Sequence, residues 1–281
     1  MRGRVLIIAG SDSGGGAGLQ ADLKTVTALG GFGMTAVTAL TAQNTLGVHG
    51  VFPIPIAFLE QQLEVVLSDL GTDAIKTGML HSVEVVTLVA QTIRGLHGKA
   101  KVVVDPVMIA KGGASLLAPE AQASVLRELC PLATVITPNA PEAEALTGIA
   151  VRNHADQLRA GEALCRMGAQ HALIKGGHLE GDTVNDVLVS ADGSSHTWSS
   201  PRLVTRSTHG TGCTLASAIA TLLAQGESVQ EAVRLARAYV LVAIAQAPGL
   251  GQGHGPLNHG WLSSPATIRE TLERKAVRRS D

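Results

Sequence analysis

The sequence is short of charge, aromatic residues and cysteine, and each shortage excludes something. Only 16% of its 281 residues are charged while 45% are hydrophobic. An average soluble domain carries roughly 25% charged residues, so this chain buries a large share of itself. Its 22 basic and 23 acidic residues leave a net charge of −1. That balance offers no general attraction to nucleic acid or to an anionic membrane. Aromatic residues make up 2% of the chain, too few for a platform on which single-stranded bases stack. The three cysteines, Cys130, Cys165 and Cys213, are odd in number and widely spaced. They supply no CxxC pair for zinc and no disulfide framework, and free thiols fit a reducing, cytoplasmic compartment.

Long apolar runs are also missing. Arg2 and Arg4 precede the apolar run Val5–Ala9, but that run is shorter than the roughly 7–15 residues of a signal-peptide core. It reads as a buried first strand. Tyr239–Ala247 falls far short of the roughly 20 residues that span a bilayer. No Pro/Ser-rich linker divides the chain, so residues 1–262 read as a single domain. Residues 263–281 form a different segment, a basic helix or tail with Pro265 at its start and Arg274, Lys275, Arg278 and Arg279 near its end. The partner this composition favours is a small ligand in a pocket.

Short β-rich runs alternate with helical patterns. Val5–Ala9, Ala36–Leu40, Ala74–Thr77, Val102–Val104, Val135–Thr137 and Ala172–Ile174 lack polar alternation, as parallel strands covered on both faces should. Between them, Leu19, Leu23 and Val26 fall at helical spacing, and Leu59, Leu63, Val66, Leu67 and Leu70 mark one apolar stripe. Further helices are expected over Glu142–Leu146, Gln157–Met167, Thr211–Leu223 and Val229–Ala247. Val184–Val189 and His196–Trp198 read as an antiparallel hairpin at a sheet edge. The alternation argues for βαβ units and a mostly parallel sheet, whose ligands lie beyond the carboxyl ends of the strands.

Two glycine-rich turns open helices. Gly10–Gly18 carries glycines whose amides can approach a ligand. It matches a relaxed dinucleotide fingerprint, but no Asp or Glu occurs between Asp22 and Glu60 to hold a ribose. GxxxxGK[ST] is absent, which excludes a P-loop NTPase. In Ser207–Cys213 the amides of Gly210, Thr211, Gly212 and Cys213 converge on a helix start, a preformed anion hole suited to a phosphoryl group in transfer. Cys213 in that first turn is expected to have a lowered thiol pKa. Asn139 and Glu142 share one side of a helix's first turn. They can hold Mg²⁺ directly or through water, although taken alone the pair reads as a helix cap. Asp105 ends a strand, and alone reads as a cap or turn. Lys175 before two glycines suits phosphate. The Gln43 carboxamide can donate and accept side by side, complementing an aminopyrimidine edge.

Together these motifs resemble the hydroxymethylpyrimidine/phosphomethylpyrimidine kinases of the ribokinase-like superfamily. The resemblance rests on Ala9–Thr25, Thr41–Thr45, Lys76–Leu80, Asp105–Met108, Thr137–Ala143, Lys175–His178, Thr208–Thr214 and Gly253–Pro256, and spans residues 4–262. It implies a three-layer α/β/α fold with a mostly parallel sheet and a small antiparallel edge. It implies phosphorylation of 4-amino-5-hydroxymethyl-2-methylpyrimidine and then of its monophosphate, in thiamine biosynthesis, with ATP and Mg²⁺. Gly10, Asp22, Gln43 and Met79 would serve the pyrimidine. Asp105, Thr208 and Lys175 would serve the nucleotide, and Asn139 and Glu142 hydrated Mg²⁺. Gly210, Thr211 and Gly212 would form the anion hole. Cys213 would be the general base, where most ribokinase-like enzymes carry Asp. Independently of the resemblance, Lys111, a cation in a loop that Gly112 and Gly113 would let move over the site, is expected to serve the second phosphorylation, the alternative being a solvated surface Lys. The resemblance implies a homodimer as well. The alternatives are a pyridoxal/pyridoxine kinase of the same superfamily, or a non-catalytic ligand-binding protein on this fold.

Overall fold

The computed structural model describes residues 2–108 and 119–262. Nine strands form one sheet: β1 (Arg4–Asp12), β2 (Phe32–Asn44), β3 (Gly47–Pro53), β4 (Ala74–Thr77), β5 (Lys101–Val104), β6 (Val135–Ile136), β7 (His171–Ile174), β8 (Thr183–Ser190) and β9 (Ser195–Pro201). Their order is β3-β2-β1-β4-β5-β6-β7-β8-β9. The six strands from β2 to β7 in that order run parallel. β3 pairs antiparallel at one edge, and β8 and β9 do so at the other. The chain leaves β1 for β2 on one side and returns to β4 on the other, so the strand order reverses between β1 and β4, where an open α/β sheet takes its ligands.

The sheet is covered on both faces, which explains the missing alternation. Along β1, Leu6 and Ile8 face one core while Val5, Ile7 and Ala9 face the other. The first core is closed by α2 (Ile56–Asp69), α3 (Val83–Gly95), α4 (Pro119–Ser124) with its continuation Val125–Leu129, α5 (Ala140–Thr147) and α6 (His154–Arg166). The second is closed by α1 (Gly18–Ala28), α7 (Thr211–Ala224) and α8 (Val229–Ala245). Helices thus form the two outer layers of an α/β/α sandwich, as expected. No helix among the described residues is long and apolar enough to cross a membrane.

Three elements escaped the sequence reading: β3, α3 and α4. β3 is punctuated by Gly47, Gly50 and Pro53 and exposed along most of its length, so it shows no buried run. In α3, Val83, Val85, Val86 and Val89 read as strand formers. Ser82, whose hydroxyl accepts from the Val85 amide, starts a helix there instead. The tail at 263–281 lies outside the described residues.

Candidate active site

Strand ends gather the site along one edge of the sheet. β1 closes on Asp12, which is buried and folds back over the glycine-rich turn. Its Oδ1 accepts from the Gly14 amide at 2.8 Å, and its Oδ2 from Gly16 at 3.1 Å and Ala17 at 2.8 Å. His209 Nε2 lies 2.8 Å from the same Oδ2. Burial works to raise the Asp12 pKa, but hydrogen bonds from His209 and these amides hold it below the usual carboxylate range. The amides expected to meet a ligand in this turn are therefore spent on its own carboxylate. The turn acts on Gln43 instead. Ser13 Oγ donates to the Gln43 carbonyl at 2.9 Å and accepts from the Gln43 amide at 2.8 Å.

The second glycine-rich turn differs. Gly210 has φ of 81°, and a Cβ there would stand 1.8 Å from the Gly16 carbonyl oxygen. Backbone conformation and close approach both require glycine. The Thr211 amide turns to the Thr208 carbonyl at 3.4 Å, while the Gly212 and Cys213 amides meet no protein acceptor among the described residues. Two unspent donors open a 14-residue helix, an arrangement suited to an anion. A Cβ on Gly212 would lie 3.2 Å from Lys175 Nζ, so a cation adjoins it.

Cys213 departs from expectation. Burial is the largest influence on its thiol, and the Asp22 and Asp105 carboxylates add to it. Lys76 and the Gly18 amide oppose without balancing, and the pKa is pushed up to about 12. Desolvation outweighs the helix field here, and the resting thiol is neutral near pH 7.

Across from it, Lys175 Nζ lies 3.2 Å from Asp105 Oδ1 and 3.9 Å from Glu142 Oε2. Thr137 Oγ1 donates to Asp105 Oδ1 at 3.2 Å. Asn139 and Glu142 complete a reciprocal cap: the Glu142 amide donates to Asn139 Oδ1 at 2.9 Å, and the Asn139 amide to Glu142 Oε2 at 2.7 Å. The cap fixes the Glu142 carboxylate toward Lys175 with Oε1 unspent. Burial, reinforced by Asp105 and opposed by Lys175, pushes Glu142 up to about 7 from an ordinary 4.5. Two carboxylates share one ammonium, an arrangement a divalent cation would relieve. Among the described residues no group of three or more His, Cys, Asp and Glu is placed to hold a metal.

That shift has a measurable consequence. Unfolded chain releases the Glu142 proton near 4.5 and folded protein near 7. Between those values the folded state binds more protons, so the metal-free protein loses stability as pH rises. The melting temperature of the wild type, relative to Glu142→Gln, should fall from about pH 4.5 to about 7 and recover with Mg²⁺. Parallel curves for the two proteins, with and without Mg²⁺, would refute the shift.

Gly10, Gln43, Met79, Asp105, Asn139, Glu142, Lys175 and Thr208 to Cys213 all line one cavity of about 810 Å³. It runs from Gln43 and Met79 at the β1–β4 reversal, past Lys175, to Trp198, Arg237 and Leu241 between the β8–β9 hairpin and α8. Met79 fits over Gly10, where a Cβ would meet Met79 Cε at 3.1 Å. Asp22 does not reach the cavity and needs correction as a substrate contact. It is fully buried, its Oδ2 accepting from Lys76 Nζ at 2.8 Å and its Oδ1 from Ser217 Oγ at 2.6 Å. Lys76, whose side chain is fully buried yet lines the cavity, was missed by sequence reading, as was His209. Only the Lys76-Thr-Gly and Thr-His-Gly strings could have flagged them. Lys111 lies outside the described residues.

Comparison with known proteins gives this geometry a family. The model of the phosphomethylpyrimidine kinase family matches residues 12–258. The thiamine biosynthesis bifunctional protein ThiED of Geobacter sulfurreducens is 53% identical over 92% of this chain. The chain spans about half, 52%, of that relative's length. The hydroxymethylpyrimidine/phosphomethylpyrimidine kinase of Bacillus subtilis is 50% identical, with 91% of this chain and 94% of the relative covered. Among solved structures, an ADP complex of Bacillus subtilis pyridoxal kinase superposes with a TM-score of 0.86 at 39% identity, covering 93% of this chain and 99% of that one. The match of a family model to most of the chain, and of full-length relatives at half identity, places it: this chain belongs to the phosphomethylpyrimidine kinase family.

Proposed function

We propose that this protein transfers the γ-phosphoryl group of ATP to the hydroxymethyl oxygen of 4-amino-5-hydroxymethyl-2-methylpyrimidine, and then a second phosphoryl group to the monophosphate, in thiamine biosynthesis. The observation that carries this reading is the pair of unspent amides at Gly212 and Cys213, beside Lys175, in one cavity with Gln43. Gln43 reads the amino and ring-nitrogen edge of the pyrimidine, and Met79 and Gly10 form its apolar seat. Lys175 and Thr208 meet the nucleotide phosphates, and Asp105 orients Lys175. The Gly212 and Cys213 amides receive the charge that develops on the phosphoryl oxygens in transfer. Asn139 and Glu142 hold Mg²⁺ through water, and Mg²⁺ bound with ATP neutralises charge on the triphosphate. The acceptor hydroxyl gives up its proton late, and Cys213 Sγ takes it in the ionised fraction of the enzyme, which is small near neutral pH.

The homologous pyridoxal kinase fold favours a second reading, phosphorylation of pyridoxal or pyridoxine. Mass spectrometry of the products formed from Mg-ATP with each substrate separates the two. Mono- and diphosphate of the pyrimidine are expected, and phosphorylated pyridoxine alone would overturn the assignment. Lys175→Met should raise KM for ATP and lower kcat together, because it removes the cation beside the anion site. Unchanged kinetics would dismiss that role.

We place the enzyme in the cytoplasm, in keeping with three free thiols. We also propose a homodimer. Leu40, Val51 and Phe52 on β2 and β3, with Phe58 and Val65 on α2, leave large apolar side chains exposed at one edge of the sheet, a surface of the kind that subunits cover. Sedimentation analysis tests this, and a monomer at micromolar concentration would exclude it.

A further inference from the structure

The Gln43 carboxamide faces two neighbours whose protons are already committed. Its Oε1 stands 3.2 Å from Thr41 Oγ1, and its Nε2 stands 3.3 Å from His209 Nε2. Thr41 has one hydroxyl proton, and Ser11 carbonyl oxygen accepts it at 2.8 Å. His209 Nε2 lies 2.8 Å from Asp12 Oδ2, and Asp12 is held ionised by three backbone amides besides. A carboxylate accepts only, so His209 Nε2 carries its proton and gives it to Asp12.

His209 Nε2 can therefore only donate to Gln43, so this amide orientation sets donor against donor there. At Thr41 it leaves Gln43 Oε1 at most a share of a proton that the nearer Ser11 carbonyl takes. A half-turn of the carboxamide, which its shape permits, removes the clash at His209 and lets Thr41 Oγ1 accept a proton of its own. Gln43 Nε2 then donates to Thr41 Oγ1, and Gln43 Oε1 shares the His209 proton. Each arm keeps one unspent position, a donor on nitrogen and an acceptor on oxygen, in a fixed order. The opposite order would suit a ring that offers a carbonyl and a ring N–H in place of an amino group and a ring nitrogen.

We propose that His209, held by Asp12, is a positioning residue that with Thr41 fixes which way the Gln43 carboxamide faces, and so sets the selectivity of the site for an aminopyrimidine over its oxo analogue. The inference rests on the reading of Gln43 as the pyrimidine contact. His209 is placed for this role by more than its ring. The ring lies against Gly16, where a Cβ would come 2.5 Å from His209 Cδ2, and its amide donates to the Gly255 carbonyl at 3.1 Å. Asp12, in turn, is locked by the glycine-rich turn that clamps the Gln43 backbone. The whole arrangement holds one side-chain amide in one orientation.

The test compares kcat/KM for the 4-amino and 4-oxo pyrimidines in wild type, Thr41→Val, His209→Phe, His209→Gln and Gln43→Leu, with thermal melts to establish folding and KM for ATP as a control. A bidentate pair discriminates by about 1–3 kcal/mol, so freeing the amide should reduce the amino-to-oxo preference by about 10- to 100-fold. The reduction is expected in Thr41→Val and His209→Phe, with ATP KM unchanged. His209→Gln, whose amide nitrogen can still donate to Asp12 and to Gln43, should restore much of the preference. If Thr41→Val and His209→Phe lower both substrates alike and keep the preference while Gln43→Leu abolishes it, the positioning role is overturned and the Gln43 reading stands. If Gln43→Leu keeps the wild-type preference, the Gln43 reading itself fails. Should His209→Phe not fold, Thr41→Val alone decides.

Discussion

Lys76→Met is expected to destabilise the protein by about 3–5 kcal/mol, the cost of leaving a buried charge without its partner. Lys76 and Asp22 both have fully buried side chains, and their charged atoms lie 2.8 Å apart. Burial alone would drive the Lys76 proton off. Asp22, with Asp105 adding to its effect, reverses that and holds Lys76 protonated, above its ordinary range. Removing the ammonium strands Asp22 among the apolar side chains of α1 and α7, with only Ser217 Oγ to bond it. The double substitution Lys76→Met with Asp22→Leu should recover much of the loss, since an apolar pair replaces an ionic one. Chemical denaturation of the three variants measures this. A single substitution costing under about 1 kcal/mol would mean that the pair is not buried in solution. Lys76 also supplies positive charge beneath Cys213, so the double variant, even when folded, should turn over more slowly.

Cys213→Ala should lower kcat by about 10²- to 10⁴-fold, the range of a positioned base, while KM for ATP changes little. The pH profile carries further information. With a resting pKa of about 12, the thiolate fraction grows tenfold for each pH unit through the neutral range. If the thiolate takes the hydroxyl proton, kcat/KM of the wild type should climb with that slope from about pH 7 to 9. Cys213→Asp, which puts a carboxylate at the same helix start, should flatten the climb. Full turnover in Cys213→Ala would remove the thiol from the mechanism and leave the Gly212 and Cys213 amides, with Lys175, as the source of rate enhancement. A loose phosphoryl-transfer transition state makes that alternative physically reasonable, because it asks little of a base.

The parallel strands were legible because burial on both faces leaves an uninterrupted apolar run, and Val5–Ala9 and Val102–Val104 keep that run over several residues. β3 was not legible, because an exposed edge strand needs no apolar pattern. The helix starts at Asn139 and Thr211 were legible from local chemistry. The sequence could weigh a cap against a metal contact at Asn139 and Glu142. It could not show that the cap itself aims the Glu142 carboxylate at Lys175, 33 residues further along.

By itself, then, the sequence determined the layered α/β plan, the strand ends from which the site is built, and the family resemblance, since each depends on residues close together in the chain. The tertiary structure decided which polar groups are spent and which are free. Two glycine-rich helix starts look alike as strings. Asp12 folds back and consumes the amides of the first, while those of Gly212 and Cys213 stay open. His209 finds Asp12 across 197 residues, and Lys76 finds Asp22 across 54. Such pairings follow from which strands lie side by side, and in a low-dielectric interior they settle protonation and hydrogen-bond direction more strongly than local sequence does.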